Sequence, residues 1–391
     1  MTTSAIPSQV EPIQAADLST LRLAMVAHRF QKNDGQGRVN YEVALAALQR
    51  GVRLTLVTAH CSDEIACHPN VTVVKVGREG WPTQLAKNLG FAYDSAAWIR
   101  SHRHEFDLIQ ANGFITWEPC DIVAAHFVHT AWMGSRFYPY RGFKPYQLYQ
   151  RTFSLLNARW EKLAYRSAGK VIAVSDIIAE EVAALGVSRD RIEVILNGVD
   201  TEEFRPGPAD RAAFGLPEGV PMLVFVGDIR TPRKNLGTLL RALPHLPGVH
   251  LAVAGAIDGS PAPEQARSLG IADRVHFLGK TPKVAALMRS VDLFCFPSLY
   301  EPFGLVAVEA MAAGLPVVVS RNVGAARSFS DSLAVVDDPE NAEALAALVH
   351  DLLASPEKRA ELAGSALKHV QDVSWSATAE TYLRVYQSLR S

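Results

Sequence analysis

Apolar runs of strand length recur along the chain, each closed by a turn and followed by a stretch with helical spacing. The first is LRLAMVA, residues 21–27; QKNDGQG then supplies a glycine-containing loop and RVNYEVALAALQRG a helix with a glycine stop. VRLTLVT, VTVVKV, DLIQA, DIVAAHFV and KVIAVS are further strand candidates in the first half. The alternation restarts after residue 200, with PMLVFVGD, HLAVAGA, RVHFLGK, VDLFCFPS and LPVVVS as strands and NLGTLLRAL, TPKVAALMR and LVAVEAMAA as helices. Between the halves, ILNGVDTEEFRPGPADRAAFGLPEGVP is rich in Gly, Pro and charge and reads as a boundary near Asn197 to Pro208. The pattern predicts an α/β protein of two facing Rossmann-like domains with parallel sheets, residues 1–200 and 201–374. WSATAETYLRVYQSLR is an amphipathic helix, so 375–391 is expected to cross back and pack on the first domain.

One stretch within this pattern is chemically unusual. SLYEPFGLVAVEAMAAGLPVVVS, residues 298–320, puts two glutamates, Glu301 and Glu309, into a segment that otherwise reads as core. Pro302 disfavours the α region for Glu301 and suits a helix opening just after it, while Gly314 and Pro316 supply a stop. Eight helical residues turn through about 800°, so Glu309 is expected on nearly the same face, roughly 12 Å further along. Strands on either side make this a βαβ unit, and ligands of such units bind outside the carboxyl ends of the strands, where Glu301 falls. The bland alternative is that Glu301 favours a helix dipole and Glu309 is a solvated helix residue.

Composition narrows the function only a little. With 391 residues, 48% hydrophobic and 20% charged, the chain is long enough for two globular domains. A net charge of -1 gives no global reason to expect nucleic acid as a partner. Four cysteines, Cys61, Cys67, Cys120 and Cys295, make no disulfide framework, so a reducing cytoplasm is the simpler reading. The leader MTTSAIPSQVEPIQAADLST lacks a basic stretch followed by an apolar core, and no run approaches eighteen uninterrupted apolar residues. HCSDEIACH, residues 60–68, gathers two His and two Cys, yet its spacing matches no zinc motif and its flanking strands favour a connecting loop.

EPFGLVAVEAMAAGLPVV resembles the signature of the retaining glycosyltransferases of family 4, which have the GT-B fold. Three further matches fall in order: Gly35-Gln36-Gly37 after the first strand, VILNGVDTEEF at the junction, and VGDIRTPRKNLGTLLRAL opening the second half. The resemblance implies a nucleotide-sugar donor on the C-terminal domain and an acceptor mainly on the N-terminal one. It implies that Lys234 contacts the diphosphate, with Arg233 beside it, that Glu301 accepts from hydroxyls of the donor sugar and that Glu309 accepts from the ribose. The backbone at Phe303, Gly304 and Leu305 is expected to approach sugar and phosphate, and the loop of Gly35 and Gly37 to contact diphosphate and acceptor. The physical requirement agrees, because a departing diphosphate gathers negative charge and needs cations and N–H donors aimed at it. Relatives often carry an arginine where this chain has Asp228; Arg230 or Arg233 could substitute.

Relatives also place a histidine at the end of the N-domain strand in DIVAAHFVHTAW. His126 and His129 compete for that role, and His129 is favoured because it sits where the apolar run ends. No D-x-D occurs in the chain, so no metal and no cofactor is expected, only a nucleotide-diphosphate sugar as co-substrate. SRFYPYRGFKPYQLYQRTF, residues 135–153, interleaves basic and aromatic residues, which suits a membrane surface on the cytoplasmic side or a lipid-linked acceptor. The rival readings are another GT-B enzyme, such as a nucleotide-sugar 2-epimerase, and a non-catalytic sugar-nucleotide-binding partner of another transferase.

Overall fold

A computed structural model describes residues 18–32, 35–77 and 80–390; the polar leader lies outside the described residues up to Leu18. The first sheet has seven parallel strands, in the spatial order Val71–Lys75, Arg53–Thr58, Arg22–Val26, Leu108–Asn112, Ile122–Ala125, Lys170–Ala173 and Ile192–Val194. The second has six, in the order Val275–Gly279, His250–Ala254, Met222–Val226, Leu293–Phe296, Val317–Ser320 and Ala334–Val336. Numbered along the chain within its sheet, each begins 3-2-1-4-5-6, the doubly wound order expected for facing Rossmann-like domains. In both, the winding reverses between the first and fourth strands, and a crevice opens beyond their carboxyl ends.

Covering helices on both faces explain why the strands read as continuous apolar runs: every residue of Leu293–Phe296 and Val317–Ser320 is buried. The C-terminal helix Trp375–Arg390 returns to the first domain. Tyr382, Leu383, Val385 and Tyr386 join the apolar cluster of Leu21, Leu23 and Leu54, and each such side chain contributes about 1.5–3 kcal/mol on burial. The register is set by polar contacts: Tyr386 donates to Gln110 Oε1 at 2.7 Å, Thr378 to the Leu196 carbonyl at 3.0 Å, and Arg50 pairs with Glu380 at 2.7 Å.

Three local expectations change. Ile192–Val194 and Ala334–Val336 are strands of three residues each, too short to register as apolar runs. His60–Cys61, read as part of a loop, pairs in parallel with Arg29–Phe30, and Asp63–Ala66 forms a helical turn. DIVAAHFV is strand only over Ile122–Ala125, so the backbone leaves the sheet before His126 and a short helix begins at His129.

Candidate functional site

A cleft of about 830 Å³ lies between the carboxyl ends of the two sheets, within the size range of small-molecule sites. Its C-domain wall forms where two loops of the second sheet meet at the switch point. One follows Met222–Val226 and carries Gly227, Asp228, Arg233 and Lys234; the other follows Leu293–Phe296 and carries Glu301 to Gly304. Pro232–Lys234 is a single 3₁₀ turn that delivers the two cations. Lys234 Nζ donates to Glu301 Oε2; Arg233 Nη1 donates to the same oxygen at 3.2 Å and to the Tyr300 carbonyl at 2.7 Å. Burial pushes Glu301 up, but Lys234 and then Arg233 outweigh it, so the carboxylate is held below its ordinary range. Burial also lowers Lys234, and Glu301 only partly offsets this.

The helix expected to open just after Pro302 begins at Leu305 and runs to Ala312, and Glu301, on the loop before it, forms a bridge with Val323. Gly304 makes the transition at φ +97°, and an added Cβ there would lie 2.6 Å from Val323 Cγ1; glycine alone fits. Phe303, Gly304 and Leu305 nevertheless line the cleft with both glutamates, and the first turn of the helix offers N–H groups with no intrahelical partner. Glu309 has no side-chain hydrogen bond among the described residues. Burial first, and Glu203 second, raise it to about 7 against the pull of Arg38.

The N-domain wall is more scattered. Gly35 opens the helix Gly35–Gln49 and lies so near the other domain that a Cβ on it would sit 3.6 Å from Leu305 Cδ1. Gly37 is buried in the same turn and does not line the cleft. Arg38 does, braced by Glu42 at 2.6 Å and by Asp200 of the junction at 2.9 Å, with its guanidinium 5.7 Å from the Trp375 ring centroid.

Two sequence expectations are overturned here. His126, not His129, faces the cleft, with Nε2 buried and without a hydrogen-bond partner among the described residues. His129 begins the helix His129–Gly134 and sits among the rings of Phe114, Phe127 and Phe153. Burial lowers both to about 4, so both imidazoles are neutral near pH 7. The reason is the early end of the strand, which shifts the exit point from His129 to His126. Likewise Arg230 does not line the cleft: it is half-exposed and bonds Asp228 at 2.8 and 2.9 Å. Of the two candidates, Arg233 is therefore the one that lines the cleft, together with Arg38.

Arg38 escaped the sequence reading; it directly follows Gly37, so adjacency to a motif was the available signal.

A sequence model of "Glycosyltransferase Family 4" matches residues 33–203, and one of "Glycosyl transferases group 1" matches 207–369. The D-inositol 3-phosphate glycosyltransferase of Mycolicibacterium smegmatis is 34% identical over 249 residues, 60% of this chain and 56% of that protein. The match thus spans little more than half the length of that curated relative. Sucrose-phosphate synthase from Thermosynechococcus elongatus superposes with a TM-score of 0.77 at 22% identity, over 94% of this chain and 99% of that one. HepE of Anabaena, solved with UDP-glucose, gives 0.72 at 22% identity over 94% and 100%. At such identities the two structures establish the shared fold.

Proposed function

We propose that this chain, which belongs to the glycosyltransferases of family 4, moves a hexosyl group from a nucleotide-diphosphate sugar to a glycan or lipid-linked acceptor with retention of configuration. The observation that carries this reading is the buried cluster of Arg233, Lys234 and Glu301 beside the first turn of Leu305–Ala312. A bound diphosphate draws the two cations and the helix N–H groups onto its oxygens and frees Glu301 to accept from sugar hydroxyls. Glu309, without a side-chain hydrogen bond among the described residues, accepts from ribose hydroxyls.

The bond from the sugar's anomeric carbon to the diphosphate breaks as the acceptor oxygen closes on that carbon from the same face. The acceptor's proton passes to the departing phosphate oxygen. Arg233, Lys234 and the helix terminus stabilise the charge that develops there. His126 offers a neutral ring nitrogen to the transferred sugar. Transfer with UDP-, GDP- and ADP-sugars, followed by proton NMR of the product's anomeric coupling, tests the reading; an inverted product contradicts it. Because the chain has no D-x-D, activity is expected to survive EDTA; loss restored by Mg²⁺ or Mn²⁺ contradicts that. Donor hydrolysis without acceptor separates an enzyme from a non-catalytic binder. The similarity to D-inositol 3-phosphate glycosyltransferase supports a second acceptor reading, a phosphorylated cyclitol, which belongs in the same assay.

A membrane-surface site of action is supported by the helix Pro145–Ser167, which is amphipathic in the wrong sense for water. Its buried side carries Ser154, Asn157, Glu161 and Tyr165. Its outer side carries Leu148, Leu155 and Leu163, each more than half exposed, next to Tyr146 and an 89% exposed Phe143. Lys144, Arg151, Arg159 and Lys162 are exposed at helical spacing among these leucines, a composition that suits an anionic lipid surface. Among the described residues no helix is long and apolar enough to cross a membrane. We place the protein on the cytoplasmic face, where its four unpaired cysteines are at home. Co-sedimentation with anionic vesicles should fall in Phe143→Ser/Leu148→Ser; unchanged binding contradicts this placement.

A further inference from the structure

The two residues that flank Glu301 both reach into the opposite domain. Tyr300 follows a strand of the second sheet, yet its side chain is held by the first domain. Its hydroxyl donates to Glu181 Oε2 at 2.6 Å and accepts from the Val128 N–H at 3.3 Å. Its ring meets Phe127 edge-on at 5.0 Å and lies over Trp132 at 5.6 Å. On the other side, the Pro302 carbonyl accepts from Ser175 Oγ at 2.6 Å. Glu301 itself is fixed within its own domain: its N–H donates to the Asn322 carbonyl at 3.0 Å and its carbonyl accepts from the Gly324 N–H at 2.9 Å. The same segment that contacts the Tyr300 hydroxyl, 126–128, supplies His126 to the cleft.

We propose that Tyr300 is a positioning residue that couples domain closure to catalysis: its hydroxyl, seated on Glu181 and Val128 of the first domain, brings Glu301 and the His126 segment into one register. This rests on the reading of Glu301 as the group that holds the donor sugar. When the domains part, both flanking bonds break and the loop of Glu301 loses its outer support. A hydrogen bond shared across the gap therefore ties acceptor-side order to the donor carboxylate, which is useful to an enzyme that must avoid spending its donor on water.

Tyr300→Phe keeps both ring contacts and removes only the hydroxyl. It should leave affinity for the bare nucleoside diphosphate within about twofold and lower kcat by about tenfold or more. Glu181→Gln weakens the same bond, so the double variant Tyr300→Phe/Glu181→Gln should lose little beyond Tyr300→Phe alone. Normal kcat in Tyr300→Phe, or losses in the two single variants that multiply in the double, would overturn the inference. Glu301→Gln is assayed alongside: if it is impaired while Tyr300→Phe is normal, only the coupling fails. If Glu301→Gln turns over normally, the reading beneath it fails as well.

Discussion

The two walls of the cleft are built from the same fold and differ in how they were made. The C-domain wall concentrates its chemistry in two short segments, Arg233-Lys234 and Glu301 to Glu309, that emerge from neighbouring strands at one switch point. The N-domain wall draws Gly35 and Arg38 from the start of one helix, His126 and Phe127 from the loop after Ile122–Ala125, Val174 from the end of another strand and Asn197 to Asp200 from the junction. It orders the His126 segment through the helix Pro145–Ser167 behind it. Glu161 accepts from the N–H groups of His129 and Thr130 at 2.6 and 2.7 Å, and Tyr165 donates to the Phe127 carbonyl at 3.1 Å. On the proposed reading the C-domain wall meets a diphosphate and its sugar, which are compact and fixed in charge, so two neighbouring segments suffice, whereas the N-domain wall meets the acceptor.

The sharpest way to break this contrast is on the C-domain wall. Lys234→Ala should cut turnover by a hundredfold or more, about 3 kcal/mol of charge stabilisation on the leaving group, with an unchanged circular dichroism spectrum. Next comes Glu301→Gln, which should lower turnover by tens of fold while sparing nucleotide affinity. It leaves two partly buried cations without their carboxylate, so the unliganded protein should lose about 1–2 kcal/mol of stability. Because affinity is spared, a nucleoside diphosphate should stabilise the variant and wild type by equal amounts in urea denaturation; a smaller gain in the variant counts against the divided roles.

On the N-domain wall the effects should be smaller and should separate the two histidines. His126→Ala is expected to lower kcat by about tenfold with little change in Tm, and His129→Ala to lower Tm with kcat nearly intact. Since burial keeps His126 neutral above about pH 4, its titration should leave no inflection in the rate between pH 5 and 8.

The carboxyls predict how stability itself varies with pH. Burial is the first cause raising Glu161, Glu181 and Glu309 to about 7 from an ordinary value of 4.5. Between those values the folded chain keeps protons that the unfolded chain has released. Stability is therefore greatest below the window, falls as pH rises through it and levels off above about 7. Glu309→Gln removes one of the three groups. Relative to wild type it should gain about 1–2 kcal/mol between pH 5 and pH 8, read by urea denaturation at both values. The smallest effect is expected at Arg230→Ala, within about twofold in turnover, because among the described residues that side chain bonds only Asp228.

These differences also decide what could be read from the sequence. Continuous apolar runs and glycine stops were enough for the two sheets and the returning helix, since burial on both faces leaves a strong pattern. Lys234, Arg233, Glu301 and Glu309 were singled out through the resemblance to family 4, whose motifs are contiguous in the chain, and the structure brings all four to the cleft. The choice of His129 failed because an apolar run does not mark the residue at which hydrogen bonding to the sheet ends. The interdomain bonds of Ser175 and Glu181 reach more than a hundred residues along the chain, and no local spacing encodes them; the local bond of Ser175, accepted from the Ile178 N–H, marks only a helix start.

On the proposed reading, the C-domain wall holds a nucleotide diphosphate through divided roles of its two glutamates. Isothermal titration of UDP, GDP and ADP into wild type, Glu301→Gln and Glu309→Gln is the decisive measurement. One site is expected for at least one of these nucleotides, with affinity about tenfold weaker in Glu309→Gln and near normal in Glu301→Gln. Binding of none of the three to wild type, or equal losses in the two variants, would refute those roles.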